Sequence, residues 1–174
     1  MEYKELTINK NYIYKGKILS VRKDDVKLIN DSLTIREVVE HGGGSCVLCV
    51  KDNKILLVKQ FRYPYMDEMW EIPAGKKDEG EEPIDTAKRE LEEETGLIAK
   101  DLSFLFEVYP SPGYTNEKIY IFRASEFSRG KKHLDENEFL HEKWFSLSEL
   151  KEMINGGKIK DAKTLIAILS EINK

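Results

Sequence analysis

A chain of 174 residues, 34% charged and 40% hydrophobic, is long enough for one well-buried domain and has the composition of an ordinary globular protein. Its formal net charge of −4 gives no support to nucleic-acid binding, which shows itself as a basic patch or stripe, and a polyanionic substrate would have to be met by local arginines or by metal. No apolar run approaches the ~20 residues of a membrane span, and the charged start "MEYKELTINK" lacks the apolar core of a signal peptide, so a cytoplasmic location without membrane partners is expected.

From Tyr12 to Val50 the pattern is that of short strands. "YIYKGKILSVRKDDVKLIN" alternates loosely, with Lys15-Gly16-Lys17 as a hairpin turn. "LTIREVVE" is rich in β-branched residues, and Gly42 to Gly44 mark a break after it. "SCVLCV" and "KILLVKQF" read as buried strands joined by the turn "KDNK". The two cysteines lie on the first of these. On a strand, Cys46 and Cys49, three apart, point to opposite faces, and no second CxxC or His pair completes a zinc site, so both read as buried structural thiols. Pro64 and Pro73 bracket a segment expected to be irregular. A helix is predicted from about Pro83, suited to the first helical position, to Gly96, with Ile84, Ala87 and Leu91 as its apolar stripe. "LSFLFEVY" and "EKIYIFRA" are two further strands around the loop "SPGYTN", and "FLHEKWFSL" is the last. Ser146 or Ser148 caps a short helix supported by Glu149. Asp161 caps a closing helix whose apolar face is Leu165, Ile166, Ile168, Leu169 and Ile172. Strands and helices do not alternate regularly, which favours a mixed α/β (α+β) sandwich over a doubly wound sheet.

The predicted central helix carries Glu90, Glu92, Glu93 and Glu94 within five residues. Like charges at i,i+3 and i,i+4 cost a few tenths of a kcal/mol each. At ~100° per residue, Glu90, Glu93 and Glu94 share one sector beside the apolar stripe, while Glu92 points ~100° away, towards solvent. A carboxylate cluster at the core edge calls for neutralisation, and hard divalent cations with oxygen ligands, Mg²⁺ or Mn²⁺, are the natural partners. Arg89, four residues before Glu93, is placed to orient it. A charged, solvated helix face is the bland alternative for "LEEE" taken alone.

The whole segment decides between them. Gly75, five residues, Glu81, seven residues, Arg89-Glu90-Leu91, one residue, Glu93-Glu94, one residue, Gly96-Leu97 resembles the signature of the Nudix hydrolases at every fixed position. The resemblance implies a Nudix-type α/β/α sandwich of mixed sheets and metal-dependent hydrolysis of a nucleoside diphosphate linked to another moiety. It implies that Glu90, Glu93, Glu94 and the carbonyl of Ala74 hold two or more ions. Gly75, Glu81, Arg89 and Gly96 would then be structural.

Outside that helix the chain resembles the ADP-ribose pyrophosphatase branch of the family, through "TIREVVEHGG", "VKQFRYP", "WEIPAGKKDEGE", "YPSPGYTNEKIYIF", "LDENEF", "WFSLSEL" and "GKIKDAKTLIAIL". That likeness implies ADP-ribose as substrate, with Arg36, Arg62, Pro112 and Gly113 in contact with it, guanidinium groups being suited to phosphate. An exposed strand charge is the bland alternative for Arg36. The likeness also implies that Glu136 or Glu138 of "LDENEF" activates water or completes a metal site, with Glu93 a third candidate base. Residues 1–42 would form an N-terminal antiparallel β region that builds a homodimer, and 43–174 the hydrolase domain. Tyr12, Tyr14 and Tyr120 are candidates to stack on adenine. Two other readings stand beside it: a sugar-nucleotide pyrophosphatase acting on a substrate such as GDP-mannose, and a Nudix-fold sensor that binds a nucleotide without hydrolysing it.

Overall fold

The computed structural model describes residues 4–134 and 139–174. It contains two compact units, Met1–Gly43 with Tyr109–Lys118, and Gly44–Val108 with Ile119–Lys174.

The first unit is an antiparallel sheet of β1 (Leu6–Lys15), β2 (Leu19–Lys27) and β3 (Leu33–His41), in that order. The expected turn sits at Gly16, whose N–H donates to the Leu19 carbonyl at 2.9 Å. The loop "SPGYTN" belongs to this unit. Val39 donates to the Tyr114 carbonyl at 2.8 Å, and the His41 N–H reaches the Asn116 side-chain oxygen at 2.9 Å. All ten residues of β1 are exposed.

The second unit contains β4 (Gly44–Lys51), β5 (Lys54–Arg62), β6 (Asp67–Glu71), β7 (Ala74–Lys76), α1 (Pro83–Thr95), β8 (Leu97–Ala99), β9 (Ser103–Val108), β10 (Ile119–Ala124), β11 (Phe127–Arg129), β12 (His141–Ser146), α2 (Leu147–Asn155) and α3 (Ala162–Ile172). Its main sheet runs β12-β5-β4-β10-β9, with β6 on β5 and β7 on β4. β4 and β10 are parallel and β4 and β5 antiparallel, so the sheet is mixed. The β4–β5 hairpin turns on Asp52 and Asn53, both at positive φ, 50° and 56°, the pairing that a two-residue turn between twisted strands favours.

Two cores lie on opposite faces of this sheet. Cys46, Leu48, Ile55 and Leu57 pack against Leu150 of α2 and Ala167 and Ile168 of α3. Val47, Cys49 and Leu56 pack against Ala87 and Leu91 of α1. Period-two alternation along β4 thus feeds two helical layers, which is the expected α/β/α sandwich. The cysteines fall on opposite faces, both buried, and burial pushes the Cys46 thiol up to about 12. Burying a Leu or Ile side chain contributes ~1.5–3 kcal/mol, so truncating Leu91 to Ala is expected to cost ~2–5 kcal/mol.

The helix boundaries follow the signals in the chain. Pro83 opens α1, and Gly96 closes it in the left-handed region at φ 68°, its N–H on the Glu92 carbonyl at 2.7 Å. Ser146 and Glu149 form a reciprocal capping box on α2, and Asp161 caps α3. Three details differ from expectation. The segment between Pro64 and Pro73 is not irregular throughout, because β6 pairs with β5 from Asp67 to Glu71. Ile84 is exposed, whereas Thr86 is buried in α1, its hydroxyl donating to Glu81 at 2.7 Å. On α3, Ile166 and Leu169 are exposed, and the packed face is centred instead on Thr164, Ala167 and Ile168, with Leu165 and Ile172 partly buried beside it.

Candidate active site

The antiparallel register of β7 on β4 sets Ala74 opposite Cys46 and Gly75 opposite Ser45. This brings β7 beneath the middle of α1. A Cβ built on Gly75 would fall inside the Glu90 carboxyl group, overlapping its carbon and both oxygens. Only a residue without a side chain lets that carboxylate lie against the strand. One turn further along α1, Glu94 is buried, 3% exposed, and accepts the Ala74 N–H at 3.1 Å.

Arg89 is the hub of the acidic face. Its Nη1 donates to Glu90 Oε1 at 2.7 Å and to Glu93 Oε2 at 2.9 Å. Its Nε and Nη2 meet the two oxygens of Glu81 at 3.0 Å each, and Nη2 also reaches the Lys76 carbonyl at 3.1 Å. Glu81 accepts in addition from the Thr86 hydroxyl at 2.7 Å and the Asp78 N–H at 3.2 Å. The Arg89 hydrogen bonds, aided by that hydroxyl, lower the Glu81 carboxyl to about 2, and the Arg89 guanidinium is raised in turn. Glu81 therefore holds Arg89, and Arg89 in turn holds Glu90 and Glu93.

Glu92 corrects one expectation. It does not simply face solvent, since its Oε1 accepts the Lys131 N–H at 3.3 Å. The Glu93 carbonyl accepts from the His133 N–H at 2.9 Å, and the Gly96 carbonyl from the Gly130 N–H at 2.8 Å. The chain leading towards Glu136 and Glu138 is thus stitched to the end of α1. Those two residues lie outside the described residues.

Arg62, at the end of β5, spends its Nε and Nη2 on the two oxygens of Glu71, at 2.6 and 2.7 Å. Arg36 lies in the first unit, where Glu5 takes its Nε and Nη2 at 2.9 and 2.5 Å. Pro112 and Gly113 form a turn in the same unit. Sequence reasoning missed Glu71 and Lys163, whose Nζ donates to Glu71 at 2.6 Å. Glu71 stands in "WEIPAG", next to the signature. Lys163 left no signal, because its partner is 92 residues away.

Among the described residues, no trio of His, Cys, Asp or Glu side chains is arranged around one point in the manner of a metal centre. The Arg89 guanidinium stands between Glu90 and Glu93 instead. The donor set still suits a hard divalent cation: carboxylates at Glu90, Glu93 and Glu94, a main-chain segment at Ala74 beside Glu94, and a strand kept bare at Gly75. No helix among the described residues is long and apolar enough to cross a membrane.

The NUDIX domain model matches residues 40–166. The chain is 44% identical over 167 residues to the ADP-ribose pyrophosphatase of Bacillus subtilis (strain 168), covering 94% of this chain and 90% of that one. It is 38% identical over 169 residues to the methanol dehydrogenase activator of Bacillus methanolicus, covering 95% and 91%. A crystal structure of an ADP compounds hydrolase shares the fold, with a TM-score of 0.84 at 22% identity over 95% of this chain and 91% of that one. With the family's spacing kept from Gly75 to Leu97 and a family match over most of the length, the chain belongs to the Nudix hydrolases.

Proposed function

We propose that the protein is a cytoplasmic, homodimeric pyrophosphohydrolase that splits ADP-ribose into AMP and ribose 5-phosphate with the help of Mg²⁺, for which Mn²⁺ can substitute. The observation that carries this reading is the Arg89-centred array of Glu81, Glu90 and Glu93 on a chain 44% identical to a protein named ADP-ribose pyrophosphatase. Glu90, Glu93, Glu94 and the Ala74 carbonyl would hold two or more ions. Once bound, these neutralise the glutamates and polarise the phosphoryl oxygens.

The remaining roles fall to side chains. Arg62 holds and orients the diphosphate, and Arg36, Pro112 and Gly113 of the first unit are proposed as separate contacts with the substrate. Glu93, Glu136 or Glu138 takes the proton of an attacking water. The water oxygen bonds to one phosphorus as the bridging P–O bond breaks, and AMP and ribose 5-phosphate leave. Neither a serine nor a cysteine nucleophile is needed. Burial raises the thiols of Cys46 and Cys49, which keeps them protonated and out of the chemistry.

The homodimer is supported by the first unit. Leu6, Ile8, Ile13, Tyr14 and Leu33 are all exposed there, large apolar side chains that a second copy of the chain would cover.

The test is a substrate panel of ADP-ribose, GDP-mannose and other nucleoside diphosphate derivatives, with Mg²⁺ and with Mn²⁺ and with products identified. AMP and ribose 5-phosphate released fastest from ADP-ribose are expected. Preferential cleavage of GDP-mannose would move the substrate to the sugar nucleotides. Tight ADP-ribose binding without AMP release would make the protein a sensor. The panel matters because a 38% identical relative carries a name of another kind.

A further inference from the structure

We propose that Glu71 and Lys163 are positioning residues, which fix the Arg62 guanidinium so that its outer edge meets the substrate diphosphate; this rests on the reading of Arg62 as a diphosphate contact. Glu71 ends β6 and is 3% exposed. Its two oxygens bind Arg62 Nε and Nη2 at 2.6 and 2.7 Å, a bidentate pair that fixes the plane of the guanidinium as well as its place. Lys163 Nζ donates to the same carboxylate at 2.6 Å and lies 3.0 Å from Asp161 Oδ1. Asp161 caps α3 through the Thr164 N–H at 3.0 Å, and the Thr164 hydroxyl accepts the Ile72 N–H at 2.9 Å. The start of α3 is therefore bolted to the strand segment that carries Glu71.

A stability role alone accounts poorly for this network. Buried ion networks of this kind add little net stability compared with apolar side chains of the same volume. What this one does supply is orientation, because the Arg62 side chain is still 38% exposed while its partner is not. With the Nε–Nη2 edge held by Glu71, it is the Nη1 side that would meet the substrate. Lys163, itself 3.0 Å from Asp161, completes the donors to Glu71 and so helps hold the carboxylate that orients Arg62. Three and four residues beyond Glu71, Ala74 and Gly75 touch Glu94 and Glu90 respectively. One short segment thus registers the phosphate-binding arginine against the glutamates.

The experiment uses the full chain. ADP-ribose affinity is measured by calorimetry in EDTA, where no turnover occurs, and KM and kcat are measured with Mg²⁺. Variants are Arg62→Ala, Glu71→Gln, Lys163→Met and the double variant Arg62→Ala/Glu71→Gln, each checked by circular dichroism. Glu71→Gln and Lys163→Met are expected to weaken ADP-ribose binding and raise KM about tenfold, with kcat changed far less, and Glu71→Gln to add nothing once Arg62 is gone. Glu71→Asp, which keeps the charge but is one methylene short, should fall between Gln and wild type, and it serves as the test if Glu71→Gln does not fold. If Arg62→Ala binds as wild type, the diphosphate reading of Arg62 falls and this inference with it. If Arg62→Ala weakens binding while Glu71→Gln and Lys163→Met do not, only this inference falls. A Glu71→Gln effect of equal size with and without Arg62 also overturns it, since Glu71 would then be acting alone.

Discussion

The α-carbon of Gly75 lies so close to the Glu90 carboxylate that no side chain fits between them. The backbone of Gly75 needs no left-handed conformation, unlike that of Gly96 at φ 68°. Collision with Glu90 is therefore the whole cost of adding a methyl group. Gly75→Ala should displace Glu90 and reduce activity and metal affinity by about 10–100-fold, with a much smaller fall in Tm. Mn²⁺ titration alongside kcat measurement checks this. Wild-type metal affinity in Gly75→Ala would show that Glu90 has no ligand role.

Glu93→Gln and Glu94→Gln should each lower kcat by about 100-fold or more with the fold intact. Both substitutions keep an oxygen where Arg89 or the Ala74 N–H needs one, so the loss would come from charge. Glu92→Gln should be close to wild type, because the amide oxygen still accepts from Lys131. Glu92→Ala removes that acceptor and should lower activity through the 130–133 stretch. Steady-state kinetics on the four proteins, with circular dichroism, separates these cases. Equal damage from Glu92→Gln and Glu93→Gln would sink the assignment of roles on α1.

Two carboxyl groups give the fold an acid limit. Burial alone would raise Glu71, but hydrogen bonds from Arg62 and the charge of Lys163 outweigh it and lower the group from 4.5 to about 2. Glu81 is lowered from 4.5 to about 2 chiefly by Arg89. A depressed folded-state value means that the unfolded chain binds protons first as pH falls. Their stabilising contribution is thus complete above about 4.5 and is lost as pH drops towards about 2. Urea midpoints measured across that range should fall, and Glu71→Gln or Glu81→Gln should flatten the fall. An unchanged slope in both variants would count against these ion pairs.

Legibility in the sequence followed the range of the interactions. The β4–β5 hairpin, the opposed cysteines, the Pro83 and Gly96 boundaries and the Ser146 cap all depend on neighbours within a few residues, and each was readable. The link from Arg89 to Glu93 was readable for the same reason, as helical spacing brings residues four apart together, whereas the bond from Arg89 to its neighbour Glu90 was not expected. Strand β6 was hidden because Pro64 and Pro73 flank it and its pairing with β5 is a tertiary fact. The Lys163–Glu71 pair joins the start of α3 to the end of β6, and the Glu92–Lys131 bond spans 39 residues. No local pattern announces contacts of that kind. Ile84 misled because helical spacing alone does not say how wide the buried face is.

The exposed sheet of the first unit predicts a dimer that charge on that sheet should break. Ile13 and Leu33 are 66% and 72% exposed, and β1 offers no buried position at all. Light scattering at micromolar concentration should give twice the chain mass. Ile8→Lys/Ile13→Lys should give the single-chain mass while the second unit keeps its helical signal. A wild-type protein that is monomeric and fully active would remove the dimer.

The last prediction concerns Glu136 and Glu138, which lie outside the described residues but follow closely on described ones. His133 donates to the Glu93 carbonyl, on the helix that carries the acidic array. The stretch "LDENEF" has little apolar content, so Glu→Gln changes there should alter stability by no more than ~0.5 kcal/mol. Whichever of the two activates water should, when changed to Gln, lose kcat strongly with little change in KM, because its contact is made mainly in the transition state. With Glu136 taken as the base and Glu138 as the residue associated with metal, an order that the sequence leaves open, the Glu138→Gln defect should be partly recovered by raising Mn²⁺ and the Glu136→Gln defect should not. Rates for both single variants and the double variant, measured from pH 6 to 9, decide the matter. If all three retain wild-type kcat, the stretch has no part in the chemistry, and Glu93, already held by Arg89, becomes the base to test.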